Sequence, residues 1–588
     1  MFLQIVVNNA HIVDTDEQTA IPIKWTHPLF NDTALMGAAS YNFTLPATNQ
    51  NKSVFNGYTQ TNTVKIIVGA ALLYDGYLTI KSHNSNKRFT CTYTENYLKD
   101  LSDTYIDEII YPQQAFVNPD VVNAQAWPTA NHCYPPMYMP NLYNWKQMDG
   151  YNEDEHAPLQ YYIHQNTQYA NLLYTGYNAQ PNSTFIPCFY LAHVLKLIFA
   201  AKGYTLSGDF FSDQELCKLV VPNNFDIVNY TVTANTATGS WPTDISLQNH
   251  LPHITVKSLL TDLRTKVGLL FFVNSRTKNA YCVLAKNIIK GSGQLQSYSA
   301  IVEKEYEVEF DDYNLPNLCF STDEFDSFCN KINVGTTGFN IVTVAATYLL
   351  PQANTIGNAD LYFVQSINQY VQSREIESPP GSNIFVRKWV NWSHNYYCTQ
   401  TTNSSADSKT STAPLLFDAE AMLNSFIAFV FVAPRIDWVA STNSLVIGKQ
   451  TGAGFVASGT VPAKNYFGFR LCFYRGLQNI ANTALQQPYA TTTNYDWLGN
   501  SIGSLSLQYN GVNGLFENYI KPYYDALKQA KTVTWQARAN LLLLNEISSP
   551  NAVTITNNTS TLPHIIKEAS ITITNNRCLP MQLTTVEF

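Results

Sequence analysis

The sequence predicts a mainly β, multidomain protein with an α+β module inserted between its β regions. Three observations carry this. Charged residues make up only 13% of the 588, against about 25% in an average globular chain, and Asn, Thr, Ser, Gln and Tyr take their place. The 37 Tyr, 31 Phe and 9 Trp, with many β-branched residues, suit pleated surfaces, while Asn, Gly and Pro suit turns. Helical spacing is clearest only in the middle of the chain. A chain of this length also exceeds what one core can organise, which predicts three to five domains.

Residues 1–120 read as strands. Met1–Val7 is strand-like, without the basic and long apolar regions of a signal peptide. Val64–Ala70 leads into Tyr74–Ile80, with Asp75-Gly76 as a hairpin signal, and Arg88–Thr94 alternates as a further strand. Residues 121–184 form a Pro/Tyr-rich insertion, too aromatic for a disordered linker.

The α+β module is expected at 185–300. After Pro187, the residues Tyr190, Leu191, Val194, Leu195, Ile198 and Phe199 fall at helical spacing, with Lys196 and Lys202 outward and Gly203 as the cap. A second helix is expected after Ser212-Asp213-Gln214-Glu215. A third runs from Thr255 through Leu259, Leu260 and Leu263 to Val267, stopped by Gly268. It feeds a buried strand at Leu269–Val273, a turn at Asn274-Ser275 and a strand at Ala280–Leu284. Leu195, Ile198, Leu259 and Leu263 are expected to share one core with Phe271 and Val273.

Residues 301–510 return to strands between Gly/Ser/Thr/Asn-rich loops, as a second β domain. Phe426–Val432 and Tyr466–Tyr474 read as buried strands, the latter entering a turn at Arg475-Gly476. Thr399–Thr412 reads as a polar surface loop. Residues 511–588 hold an amphipathic segment (Phe516, Tyr519, Tyr523, Tyr524 and Leu527), read as packing, and closing strands.

Charge excludes some functions. The net charge is −8 and no run of Lys/Arg exceeds two residues, so neither the basic stripe of a nucleic-acid binder nor a polybasic membrane face is present. Phe426–Val432 is far shorter than the roughly 20 residues of a membrane span, so a soluble protein made in the cytoplasm is expected. The ten cysteines include no C-x-x-C pair, and several sit in apolar runs. They are expected as buried thiols of a reducing compartment. The Asn-x-Ser/Thr triplets at Asn182, Asn229 and Asn391 are what an Asn- and Thr-rich chain produces by chance.

Catalytic signals are weak. Glu153-Asp154-Glu155-His156 could ligate a metal but reads better as a solvated turn. Asp311-Asp312 and Asp323-Glu324-Phe325-Asp326 could supply paired carboxylates for glycoside hydrolysis, without a visible scaffold to pair them. His250 and His253 flank Leu251-Pro252 at a spacing open to zinc, with no further His or Cys at a ligand interval nearby. G-x-S-x-G, H-E-x-x-H and Walker A sequences are absent. No catalytic, cofactor or metal residue is assigned, and an enzyme is not expected.

Four blocks are more specific taken together. They are Trp25-Thr26-His27-Pro28-Leu29-Phe30 with Ser40-Tyr41-Asn42-Phe43-Thr44-Leu45-Pro46-Ala47-Thr48-Asn49-Gln50-Asn51; Pro187 through Gly203-Tyr204 with Leu219-Val220-Val221-Pro222-Asn223-Asn224; His250-Leu251-Pro252 through Phe271-Phe272; and Ser506-Leu507 through Gly514-Leu515-Phe516-Glu517 with Lys521-Pro522. In this order they resemble the tail-hub or baseplate family of phages and prophages of Bacteroidetes, across nearly the whole chain. The 121–184 insertion departs from that pattern.

The resemblance implies tail-tube-like β domains and a structural role in a virion tail, assembled in the host cytoplasm. It implies a homo-oligomer, with a trimer favoured and a hexamer or dodecamer possible. Expected partners are other tail proteins (tube, tape measure, fibres), with DNA passing a channel without specific binding. The alternatives are a ring or nozzle component of a short tail, and a receptor-binding or carbohydrate-adhesion tail protein.

Overall fold

The computed structural model describes residues 3–30, 38–55, 61–69, 71–84, 87–95, 101–135, 137–138, 163–164, 186–223, 227, 229–233, 236–240, 242–289, 296–297, 302–309, 318–320, 335–346, 349–351, 360–366, 368–377, 385–394, 408–410, 416–424, 427–435, 446–451, 454–458, 469–479, 486–496, 498–509, 511–538, 550, 553–554, 564–575 and 578–587. The chain is mainly β, with several separate sheets and an α+β module, as the composition predicts.

The largest sheet joins the two ends of the chain. Leu3–Val7 pairs with His11–Val13 on one side and Thr61–Val68 on the other, followed by Ala71–His83 and Arg88–Glu95. The short strand Ala39–Ser40 then links Arg88–Glu95 to Ala20–Thr26. Ala20–Thr26 pairs antiparallel with His564–Thr574, which continues into Met581–Glu587, Lys531–Ala537 and Val302–Glu309. Alternation makes this register specific. Ile21, Ile23 and Trp25 stand opposite Ile573, Ile571 and Ala569, and all six are buried in one core with Trp535 and Leu583. On the other face Lys24 and Glu568 form a salt bridge of 2.7 Å. The strands expected at 1–120 and those expected to close the chain within 511–588 are therefore one sheet.

The Asp75-Gly76 hairpin expectation is corrected. Both residues lie inside the 13-residue strand Ala71–His83, and the chain reverses just before it, after Gly69 at φ +65°. Gly76 serves close approach instead. A Cβ there would collide with the Thr94 carbonyl and the Tyr93 ring on the next strand. Among the described residues Phe43–Pro46 pairs only with Arg88–Glu95, the place where a Pro-terminated strand fits. Beyond it Thr48 caps a short helix, Asn49–Val54, by accepting from the Asn51 N–H, so the chain leaves that strand through a helical turn.

The α+β module rests against this sheet. Its first helix, Leu191–Ala201, starts later than the spacing suggests, because Cys188–Tyr190 is a strand. Phe189 and Tyr190 pair with Val221 and Val220, and the backbone turns helical only after them. Lys196 points outward between the rings of Trp127 and Phe211, at 5.2 and 4.8 Å. The helix expected after Glu215 is only a 3-10 turn, Leu216–Lys218, running straight into the strand Leu219–Val221. Val256–Val267 is the helix expected, capped by the Thr255 side chain and stopped by Gly268 in the left-handed region.

The strand Leu269–Asn274 explains its own apolar run. Phe271 and Val273 enter the same core as Leu195, Ile198, Leu259 and Leu263. Leu270 and Phe272 face the other way, packing with Leu29, Ile288 and Ile565. Asn274 Oδ1 accepts from the N–H groups of Arg276 and Thr277, both at 3.1 Å, and turns the chain into Asn279–Leu284.

The strand expected through Tyr466–Tyr474 is described as Cys472–Asn479, and it does not turn at Arg475-Gly476. A bulge sits there, with Gly476 at φ +72°, and it aims Arg475 inward. Of the expected strand Phe426–Val432, the residues from Ile427 onward belong to Ile427–Arg435, antiparallel to Leu416–Asn424, while Phe426 and the burial of these side chains lie outside the described residues. Within the expected loop Thr399–Thr412, Ser408–Thr410 is a short strand parallel to Leu318–Phe320, and the remainder lies outside the described residues.

Candidate functional site

The blocks that carry the resemblance meet in space, at three junctions around the α+β module. At the first, Asn223 donates through Nδ2 to the Pro187 carbonyl at 2.7 Å. Its carboxamide oxygen then faces His250 Nδ1 at 3.0 Å. His250 is therefore the donor, as the Nδ1–H tautomer. Burial, and after it the nearby His132, holds the His250 pKa down at about 3, so the ring stays neutral. One buried Asn thus ties Pro187 before the first helix to His250 before the second.

At the second junction, the Trp25–Phe30 phrase leaves the large sheet and docks on the module. His27 is buried, its Nδ1 accepting the Leu29 N–H at 3.0 Å. Its ring meets Phe272 edge-on at 5.0 Å. Burial, with a smaller contribution from Arg264, lowers its pKa to about 3. Arg264 reaches the Pro28 carbonyl at 2.5 Å, and Arg276 reaches the Leu72 carbonyl at 3.1 Å. Two arginines of the module therefore cap carbonyls of the sheet region.

The third junction involves the Gly511–Pro522 block. Gly511, at φ +86°, opens a turn closed by the Gly514 N–H on its carbonyl at 2.8 Å. The following helix starts as a π-turn, Phe516–Ile520, and continues as an α-helix, Lys521–Leu527. Pro522 has no N–H to donate, which fits a widened turn just before it. Phe516, Tyr519 and Leu527 are buried, as the amphipathic spacing predicts. Tyr519 donates to Asp213 at 2.9 Å and lies under Lys286, 3.5 Å from its ring centroid. Gly268 packs here too, since a Cβ would stand 3.3 Å from both the Tyr519 carbonyl and the Tyr523 ring.

Arg475 gathers the same region. It is buried, pairs with Glu215 at 2.6 Å and donates to the Leu505 carbonyl at 2.9 Å. Burial pushes the Glu215 pKa up, but Arg475 and Lys218 together outweigh it and the net shift is downward. Gly503 leaves room for it, because a Cβ there would press on the guanidinium.

Of the catalytic and metal candidates, His250 and His253 lie among the described residues, and they are held by different partners. His250 is committed to Asn223. His253 sits apart, its Nδ1 at 3.0 Å from both oxygens of Asp107 and its ring stacked 4.0 Å from Tyr105. Among the described residues, no group of three or more His, Cys, Asp or Glu could hold a metal ion. Glu153–His156, Asp311-Asp312 and Asp323–Asp326 lie outside the described residues. Seven described cysteines are thiols, five of them buried, with Cys217 and Cys578 half-buried. No described helix is long and apolar enough to cross a membrane.

What the large sheet offers outward is its edges. His11–Val13 and Val302–Glu309 each pair on one side only among the described residues. Ile12 is 51% and Val308 41% exposed. Nothing in the four sequence blocks pointed to these edges, because edge position follows from pairing between distant segments.

No family model and no curated protein matches the chain. Among solved structures, the prophage MuSo2 43 kDa tail protein from Shewanella oneidensis aligns with 100% of this chain and 96% of its own, at 7% identity and TM-score 0.32. The tail protein from Neisseria meningitidis MC58 covers the same shares at 6% identity and TM-score 0.29. At such scores neither likeness assigns a fold or a function.

Proposed function

We propose that this chain is a structural component of a phage tail, a hub or baseplate subunit contributing to the wall of the tail channel. The observation that carries this reading is the large sheet, which joins the two ends of the chain and, among the described residues, leaves a strand paired on one side only at each edge. An open edge of unpaired N–H and C=O groups is a template for another strand. In a ring of copies, His11–Val13 of one subunit would meet Val302–Glu309 of the next, and sheet closure would remove both edges. The four blocks support the same reading: they meet at junctions that fix the module on the sheet, which is what a scaffold requires. A net charge of −8 suits a channel that passes DNA without gripping it.

The edge contact is tested by disulfide trapping in assembled tails. Ile12→Cys and Val308→Cys together should give cross-linked multimers under mild oxidation, and either change alone should not. Absence of any cross-link in tails that contain the double variant would overturn the edge-to-edge contact. Copy number separates the variants of the reading: three for a hub, six or twelve for a ring or nozzle.

A further inference from the structure

Three histidines surround one phenylalanine in the module's core. The rings of His132, His250 and His193 lie 5.3, 5.7 and 6.3 Å from the ring of Phe189. They come from three elements: the strand His132–Cys133, the turn Leu247–His250 and the helix Leu191–Ala201. Both ring nitrogens of His132, and Nε2 of His193, are buried with no hydrogen-bond partner among the described residues. A buried polar atom without a partner costs about 1–3 kcal/mol, and a proton added there would bring a charge without an acceptor.

Among the described residues, the surroundings supply little to balance such a charge. Cys133 shares the strand with His132, Cys188 and Tyr190 lie on the paired strand, and Lys196 follows His193 on the helix. Cys472, Tyr474 and Arg475 lie on Cys472–Asn479, and Cys217 and Lys218 on the 3-10 turn whose Glu215 is held by Arg475. Asp120, on the short helix Pro119–Asn123 packed against His132–Cys133, is the carboxylate these elements add. Burial dominates each histidine, and the charge acting next is cationic: His193 on His132, Lys196 on His193, and His132 on His250.

We propose that His132, His193 and His250 form an acid-sensitive latch, whose protonation opens the packing of the Leu191–Ala201 helix on its sheet while the large sheet stays folded. Burial lowers the three pKa values from 6.5 to about 4, 4 and 3 respectively. The opened state therefore binds protons more tightly. Stability from the neutral rings is full above pH 6.5 and lost as pH falls towards 4. Between about pH 8 and pH 5 the opening constant should rise about 30-fold per histidine, or roughly thirty-thousandfold for the three.

The buried thiols report the opening. Cys133 and Cys188 lie in the histidine core and Cys91 in the large sheet. Pulse labelling with a dithiodipyridine reagent, normalised to an unfolded reference, should show Cys133 and Cys188 exposed steeply on acidification while Cys91 stays protected. His132→Phe and His193→Gln should each flatten that rise by about 30-fold. An equal rise in both variants, or labelling of Cys91 in step with Cys133, would overturn the latch. Urea titration of the unaltered chain adds an arm independent of variant folding: the module's midpoint should drop on acidification, and an unchanged midpoint would overturn the proposal.

Discussion

Asn223 and His250 face each other at 3.0 Å in the buried interior, while the Asn223 amide holds the Pro187 carbonyl at 2.7 Å. Three segments of the resembling blocks are thereby fixed by one side chain. Asn223→Ala strips both the His250 donor and the Pro187 acceptor of a partner. Each buried group left unsatisfied costs about 1–3 kcal/mol, so the variant should lose roughly 2–6 kcal/mol in urea unfolding. A double-mutant cycle with His250→Ala should show coupling of about 0.5–3 kcal/mol. Additive effects would place the two residues in separate networks.

Leu195 and Leu263 lie on different helices and share one core with Phe271 and Val273, all fully buried. Replacing either leucine by Ala should cost about 2–5 kcal/mol. Calorimetry checks this, and an unchanged melting temperature for both variants would mean that the buried faces are elsewhere.

Arg475 is a buried cation whose carboxylate partner among the described residues is Glu215, at 2.6 Å. Glu215→Gln keeps the shape and removes the charge, leaving the guanidinium uncompensated. Breaking one side of a buried pair costs about 3–5 kcal/mol, discounted here because Glu215 keeps some contact with solvent. A loss of about 2–4 kcal/mol in urea unfolding is expected. The pH dependence has a definite sign. The Glu215 pKa is lowered in the folded chain, so this stability is present above the ordinary carboxylate range and fades as pH falls through the lowered value. The Gln variant should lack that acid-side slope.

Local chemistry was legible in the sequence, and distant pairing was not. The Thr255 cap, the Gly268 stop and the Asn274 turn are each written within a few residues, and the structure carries all three. The core shared by Leu195, Leu263 and Phe271 followed from periodicity. Asp75-Gly76 misled because a turn dipeptide and a close-approach glycine look alike until the neighbouring strand is known, and Tyr93 supplies that neighbour. The Glu215 region misled because Arg475, 260 residues away, holds it as a tight turn. Likewise, nothing near Trp25 announces Ala569 as its strand partner. The Asn223 junction was half visible: its residues stood in the blocks, but only folding shows that they touch.

The central claim is that this chain builds the axial channel of a tail through contacts between copies. Cryo-electron microscopy of assembled tails, with the chain located by its own density, tests it most directly. The account predicts three copies around the axis, with His11–Val13 of each beside Val302–Glu309 of the next. A chain found as separate, unpaired copies at the tail periphery, with both edges exposed to solvent, would contradict it.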